Sequence, residues 1–140
     1  MTTDITPMLE AARRASLSLL DLSAEAVNTL LCDIADRLVA ATPDIISANS
    51  RDLERMDSAD PKYDRLRLTP QRIAAIAADM RSVASLPSPV GLTLDDRTLP
   101  NGLHLRKVSV PFGVIGVIFE ARPNVSCDVA SLCLKSGNAC

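Results

Sequence analysis

The chain has 140 residues, 47% of them apolar but only 2% aromatic, so it can bury a core of its own in a single domain, one of closely packed helices rather than an aromatic-filled sandwich. Fifteen Lys and Arg stand against 17 Asp and Glu with no basic tract, which argues against a nucleic-acid or anionic-membrane partner. No segment approaches the apolar length of a membrane span, and Thr2 to Asp4 opens the chain on polar residues without a signal-peptide pattern. Cys32, Cys127, Cys133 and Cys140 form no C-x-x-C pair and match no common zinc frame, so a reducing cytoplasm with free thiols and no metal is expected.

Thr6-Pro7 reads as a helix start, Thr as cap and Pro at the first helical position, with Met8, Ala12, Ala15 and Leu19 on one face to about Leu20. Ser23 caps a second helix whose Val27, Leu30, Leu31, Ile34, Ala35 and Leu38 recur at helical spacing. Thr42-Pro43 repeats the start signal for a third helix to about Met56, and Asp57 to Lys62 is a polar break. Thr69-Pro70 starts a fourth, carrying Ile73, Ile76, Ala77, Met80 and Val83, and the Leu86 to Gly91 run ends it.

After Gly91 the pattern changes. Asn101-Gly102 between extended runs predicts a hairpin, with the weak alternation of a ribbon exposed on both faces or paired with another subunit. Val114 to Phe119 is a continuous apolar run that predicts a strand buried on both faces of a parallel sheet. Asn124 or Ser126 is expected to cap a last helix, ended by Ser136-Gly137-Asn138 with Gly left-handed. The layout is a helical layer (1–91), a hairpin arm (92–110) and the first strand and helix of a strand–helix–strand unit (111–140). The strand–helix–strand unit stops as its second strand would begin at Ala139, which predicts a chain that is an amino-terminal part of a longer protein.

The loop Glu120-Ala121-Arg122-Pro123-Asn124 is the prime site candidate, because ligands in open α/β sheets bind beyond the strand ends beside helix amino-termini. Arg122 can grip a phosphate or carboxylate, and the Asn124 amide can donate to a developing oxyanion. The plainer reading leaves Asn124 as a cap and Arg122 paired with Glu120. Cys127, in a first helical turn, is either an activated thiolate or, more simply, packing; Cys133 is packing, and His104 is a solvated or interfacial side chain. Gly113 and Gly116 do not make a G-x-G-x-x-G fingerprint.

The run Val110-Pro111-Phe112-Gly113-Val114-Ile115-Gly116-Val117-Ile118-Phe119-Glu120-Ala121-Arg122-Pro123-Asn124-Val125, followed by Leu134-Lys135-Ser136-Gly137-Asn138, resembles the γ-glutamyl phosphate reductases of the aldehyde dehydrogenase superfamily. Asp64-Arg65-Leu66-Arg67-Leu68-Thr69 looks like that family's D-R-L-x-L-T run, and Pro89-Val90-Gly91 and Leu99 to Leu103 add to the likeness, which covers nearly the whole chain. The resemblance implies an α/β fold, the amino-terminal part of an aldehyde dehydrogenase-like Rossmann-type cofactor domain with a helical layer and a β-hairpin arm for oligomerisation. It implies NADPH-dependent reduction of L-γ-glutamyl 5-phosphate to L-glutamate 5-semialdehyde in proline biosynthesis, in a homo-oligomer touching glutamate 5-kinase. Asn124 resembles the superfamily's oxyanion-holding Asn, and Glu120, Arg122 and Pro123 would bind cofactor or substrate. The family's nucleophilic cysteine matches none here, so this chain alone is expected to be inactive and to lack the catalytic domain. The contrasting readings are a non-catalytic helical interaction module with a hairpin arm, and another aldehyde dehydrogenase branch, which the D-R-L-x-L-T and E-x-R-P-N runs disfavour.

Overall fold

The computed structural model describes residues 4–120 and 122–140. Six helices, α1 (Thr6–Leu19), α2 (Ala24–Ala40), α3 (Thr42–Leu53), α4 (Tyr63–Leu66), α5 (Pro70–Ser85) and α6 (Pro123–Lys135), flank one antiparallel ribbon of β1 (Thr93–Thr98) and β2 (His104–Val108).

The core is the meeting of α2, α5 and α6. Ala35, Ile76, Ala77 and Met80 form one cluster, against which Ile34, Leu38, Leu68 and Cys127 pack. Val27, Leu31 and Ala84 form the second, with Cys32, Val83 and Leu134 beside them. Small residues at Ala35, Ala77 and Ala84 let the helices approach, and Leu31 fills the space between them completely. Burying such a leucine stabilises by roughly 2–3 kcal/mol. Lys135 lies in this interior: its Nζ donates to Asn28 Oδ1 of α2 at 2.6 Å and to the Ala84 carbonyl of α5 at 2.8 Å. One ammonium group therefore joins all three helices.

Helix starts follow local chemistry. Ser23 and Thr69 cap α2 and α5 through their hydroxyls, as expected, accepting from Ala26 N–H and Arg72 N–H. Thr6 and Thr42 are instead the first helical residues, behind Ile5 and Ala41. Asp4 accepts the Thr6 N–H in its place, and the Thr42 hydroxyl donates back to the Val39 carbonyl of α2. Helix α3 closes at Leu53 rather than near Met56, and the single turn α4 stands within the stretch beyond the polar break. The expected face of α1 is not buried: Met8 is 71% exposed and the buried residue is Ser16, whose hydroxyl is satisfied by the Arg13 carbonyl.

The hairpin forms, but not on a two-residue turn. Gly102 N–H donates to the Leu99 carbonyl and Leu99 N–H to the Leu103 carbonyl, so Pro100, Asn101 and Gly102 make a three-residue loop. Only Gly102 has positive φ, +85°, whereas the two-residue turn needs Asn101 left-handed as well. The ribbon is exposed on both faces, and its register shifts between Thr93 and Asp95.

The run from Val114 to Phe119 is extended without forming a strand. Its one ladder contact is a parallel bridge from Val114 to Ala139, with Ile115 N–H donating to Ala139 O and Ala139 N–H to Gly113 O, both at 2.9 Å. Ile118 is fully exposed, and Phe119 is half exposed. An apolar run of this kind suits a strand covered on both faces, and the described residues supply one paired position and no cover. The end of α6 is as expected: Gly137, at φ +73°, donates to Leu134 O and Asn138 N–H to Cys133 O. The buried Asn138 then accepts Gly113 N–H at 2.8 Å, fixing the extended run to the helix end.

Candidate functional site

Arg122 is extended, at φ −121° and ψ 103°, because the proline ring after it excludes the helical region, and α6 starts at Pro123. Neither Asn124 nor Ser126 caps the helix; Arg122 occupies the cap position and no side-chain cap forms. Asn124 lies in the first turn, and its Nδ2 donates to Asp128 Oδ2 at 3.0 Å. One amide hydrogen is thus held by a carboxylate one turn on, and the second remains to donate elsewhere. The i, i+4 spacing of Asn124 and Asp128 was the signal for this pair.

Arg122 does not ion-pair with Glu120. Its backbone N–H meets the Glu120 carbonyl, while the Glu120 carboxylate lies 3.7 Å from Lys62 Nζ, both side chains well exposed. Arg122, Pro123 and Asn124 instead line an open cleft of about 410 Å³. Its opposite wall comes from Asp64, Arg65, Arg67 and Arg72, with Asp79 farther along α5. Two runs more than fifty residues apart in sequence, Asp64 to Thr69 and Arg122 to Asn124, therefore face one space, and Glu120 does not line it.

The Asp64 wall is held from several sides. Arg67 Nη2 and Arg72 Nη2 each donate to the Asp64 carboxylate at 2.8 Å, and Arg72 Nη1 donates to the Asp64 and Arg67 carbonyls. The Arg72 hydrogen bond, before the charges of Arg72 and Arg67, holds the Asp64 carboxyl below the usual carboxylate range. Behind the loop the buried Asn49 donates to Leu66 O at 2.9 Å and accepts Leu68 N–H at 2.8 Å. Sequence reasoning missed Asn49, since a single Asn on a helix gives no sign of the loop it will meet seventeen residues later. The cleft carries four guanidinium groups against two carboxylates, a lining suited to an anion.

None of the four cysteines lines this cleft. Burial, and then the neighbouring Asp128 charge, push the Cys127 thiol up. Burial raises Cys133 as well. Both favour the packing reading, as do the contacts of Cys127 with the core. Among the described residues no cluster could hold a metal ion, and no helix is long and apolar enough to cross a membrane.

No protein-family model matches the chain. Curated relatives do. The γ-glutamyl phosphate reductase of Chlorobaculum parvum is 59% identical over 131 residues, covering 94% of this chain and 31% of its own length. That of Bacteroides thetaiotaomicron is 56% identical over 140 residues, all of this chain and 34% of its own length. The crystal structure of γ-glutamyl phosphate reductase from Thermotoga maritima superposes with a TM-score of 0.91 at 31% identity, over 97% of this chain and 34% of that one. The Saccharomyces cerevisiae enzyme gives 0.89 at 34% identity, over 99% of this chain and 36% of that one. The chain spans about a third of the length of the curated relatives it matches. The fold expected from the resemblance, an amino-terminal helical layer with a hairpin arm, is that of the matching third of these structures.

Proposed function

The chain belongs to the γ-glutamyl phosphate reductase family, and we propose that the protein, at the length of its relatives, reduces L-γ-glutamyl 5-phosphate with NADPH to L-glutamate 5-semialdehyde, releasing phosphate, in proline biosynthesis from glutamate. The observation that carries this reading is the cleft. Asn124, whose amide donates to Asp128, lines it together with Arg122 and with Asp64, Arg65, Arg67 and Arg72. An acyl phosphate needs cations for its phosphoryl oxygens and a donor for the carbonyl oxygen that gains charge under attack.

The covalent step needs a thiolate. None of the four cysteines lines the cleft, so this reading places the nucleophile outside these 140 residues. In this reading the main contacts to the nucleotide also belong to residues outside these 140. The turn after α6 is closed by its own bonds, and Asn138 is spent on Gly113 and Ser136. No step is therefore derived through NADPH on this chain, and the 140 residues alone are expected to be inactive. A cytoplasmic homo-oligomer, assembled through the exposed hairpin and receiving its labile acyl phosphate from glutamate 5-kinase, belongs to the same reading. The reductase relatives favour this reading over a non-catalytic interaction module.

Steady-state kinetics of Asn124→Ala in the full-length enzyme test the assignment. Loss of one oxyanion donor costs about 3–4 kcal/mol of transition-state stabilisation, a fall in kcat of roughly a hundred- to a thousandfold, with NADPH affinity nearly intact. Near-normal kcat beside a lowered melting temperature would make Asn124 a purely structural residue.

A further inference from the structure

The charges on the cleft wall are not equivalent. The Asp64 carboxylate is fully engaged by Arg67 and Arg72. Arg65, Arg122 and Asp79 line the same cleft, and among the described residues none of the three is in an ion pair with another side chain. Two uncommitted cations and one uncommitted anion thus face the space in which Asn124 stands. Phosphate alone would call only for the cations. A lone carboxylate on the wall of an otherwise cationic cleft would repel a phosphate or carboxylate unless the ligand also brought a positive charge to meet it.

We propose that the wall from Arg65 to Asp79 reads the amino-acid end of the substrate, Arg65 taking the α-carboxylate and Asp79 the α-ammonium, with Arg122 and Asn124 left for the reacting acyl group. The proposal rests on the preceding reading for the reaction, but not for the recognition. Arg65 and Asp79 reach the cleft from two different elements, α4 and α5. The 64–68 run that carries Arg65 is tied to α3 by Asn49 and to α5, the helix of Asp79, by the Arg72 guanidinium. A planar guanidinium matches a carboxylate in two hydrogen bonds, and a carboxylate accepts an ammonium. The pair therefore selects an α-amino acid over the dicarboxylic acid that lacks the amino group. Both side chains lie on the surface, so their replacement leaves the core intact.

Calorimetric titration of the full-length protein with L-glutamate and with glutarate separates recognition from catalysis, because neither compound reacts. The unaltered protein is expected to bind L-glutamate at least about tenfold more tightly than glutarate, the value of one charge-assisted contact. Asp79→Asn should erase that preference, with glutarate bound as tightly as before or more tightly because its repulsion by the carboxylate is gone. Arg65→Gln should weaken both ligands by about tenfold or more. A preference for L-glutamate that survives in Asp79→Asn, or its absence from the unaltered protein, overturns the proposal. Reductase assays on the same preparations then judge the reaction separately: a protein that binds L-glutamate as described but does not oxidise NADPH with the acyl phosphate refutes the reaction alone.

Discussion

Replacing Asn49 by Ala should loosen the Asp64 to Thr69 wall from behind, since Asn49 does not itself line the cleft. The side chain makes two neutral hydrogen bonds, to Leu66 O and from Leu68 N–H, in a place only 6% exposed. Each such bond contributes about 1 kcal/mol, and two half-buried backbone groups left without a partner add to the loss. The expected cost is about 2–3 kcal/mol, read as a lower urea midpoint with unchanged slope. The loss is local, so the Leu68 amide should exchange with solvent roughly thirtyfold faster or more, while the Leu31 amide, in the core, follows global stability only. Asn49→Asp separates the two bonds. It keeps the acceptor for Leu68 N–H and loses the donor to Leu66 O, so Leu68 stays protected although stability falls. Unchanged exchange at Leu68 in Asn49→Ala, with stability within about 0.5 kcal/mol of the parent, would refute the clamp.

Lys135→Met removes two charge-assisted bonds that join α2, α5 and α6 and should cost about 3 kcal/mol in urea unfolding, whereas Lys62→Met, at an exposed pair, should stay within about 0.5 kcal/mol. The Asp64 carboxyl titrates below its unfolded value, so its contribution is present above the ordinary carboxylate range and is lost as pH falls through the lowered value; exchange at Leu68 should rise over that acid window, and Asp64→Asn should remove the dependence. Thiol labelling at neutral pH should modify the exposed Cys140 first and the half-buried Cys127 slowly, since burial keeps the latter protonated; rapid modification of Cys127 in folded protein would revive it as a nucleophile.

What could be read from the residues were features whose cause is local. The spacing of Val27, Leu31 and Ala35, the hydroxyl caps at Ser23 and Thr69, and the left-handed Gly137 each follow from neighbours within a turn. The apolar run at Val114 to Phe119 carries the composition of a covered strand, but pairing is a property of partners, and among the described residues only Ala139 supplies one. The hairpin about Asn101-Gly102 was legible, but its loop length was not, since Pro100 joins those two residues in the loop. Of the candidate site, Arg122, Pro123 and Asn124 do share a cleft, but Glu120 is turned toward Lys62. The other wall was visible only as a run of familiar residues, because nothing in the order of the chain says that Asp64 and Arg122 will face each other. Charge pairing also misled: Glu120 and Arg122 are close in sequence and opposite in charge, yet Glu120 meets Lys62 instead.

The position of Lys135 bears on the order in which the chain is made. Its partners, Asn28 and the Ala84 carbonyl, leave the ribosome 107 and 51 residues earlier. Until α6 emerges, α2 and α5 can meet, but the side of their cluster that Leu134 and Cys127 cover stays wet, and the Ala84 carbonyl must rely on water. At typical elongation rates of about 5–20 residues per second, that interval lasts several seconds. The helical layer therefore waits, half assembled, for its last helix. A pause in translation before residue 135 would lengthen the exposure of an apolar helix pair to solvent and chaperones, and release past it would let one ammonium group close the layer.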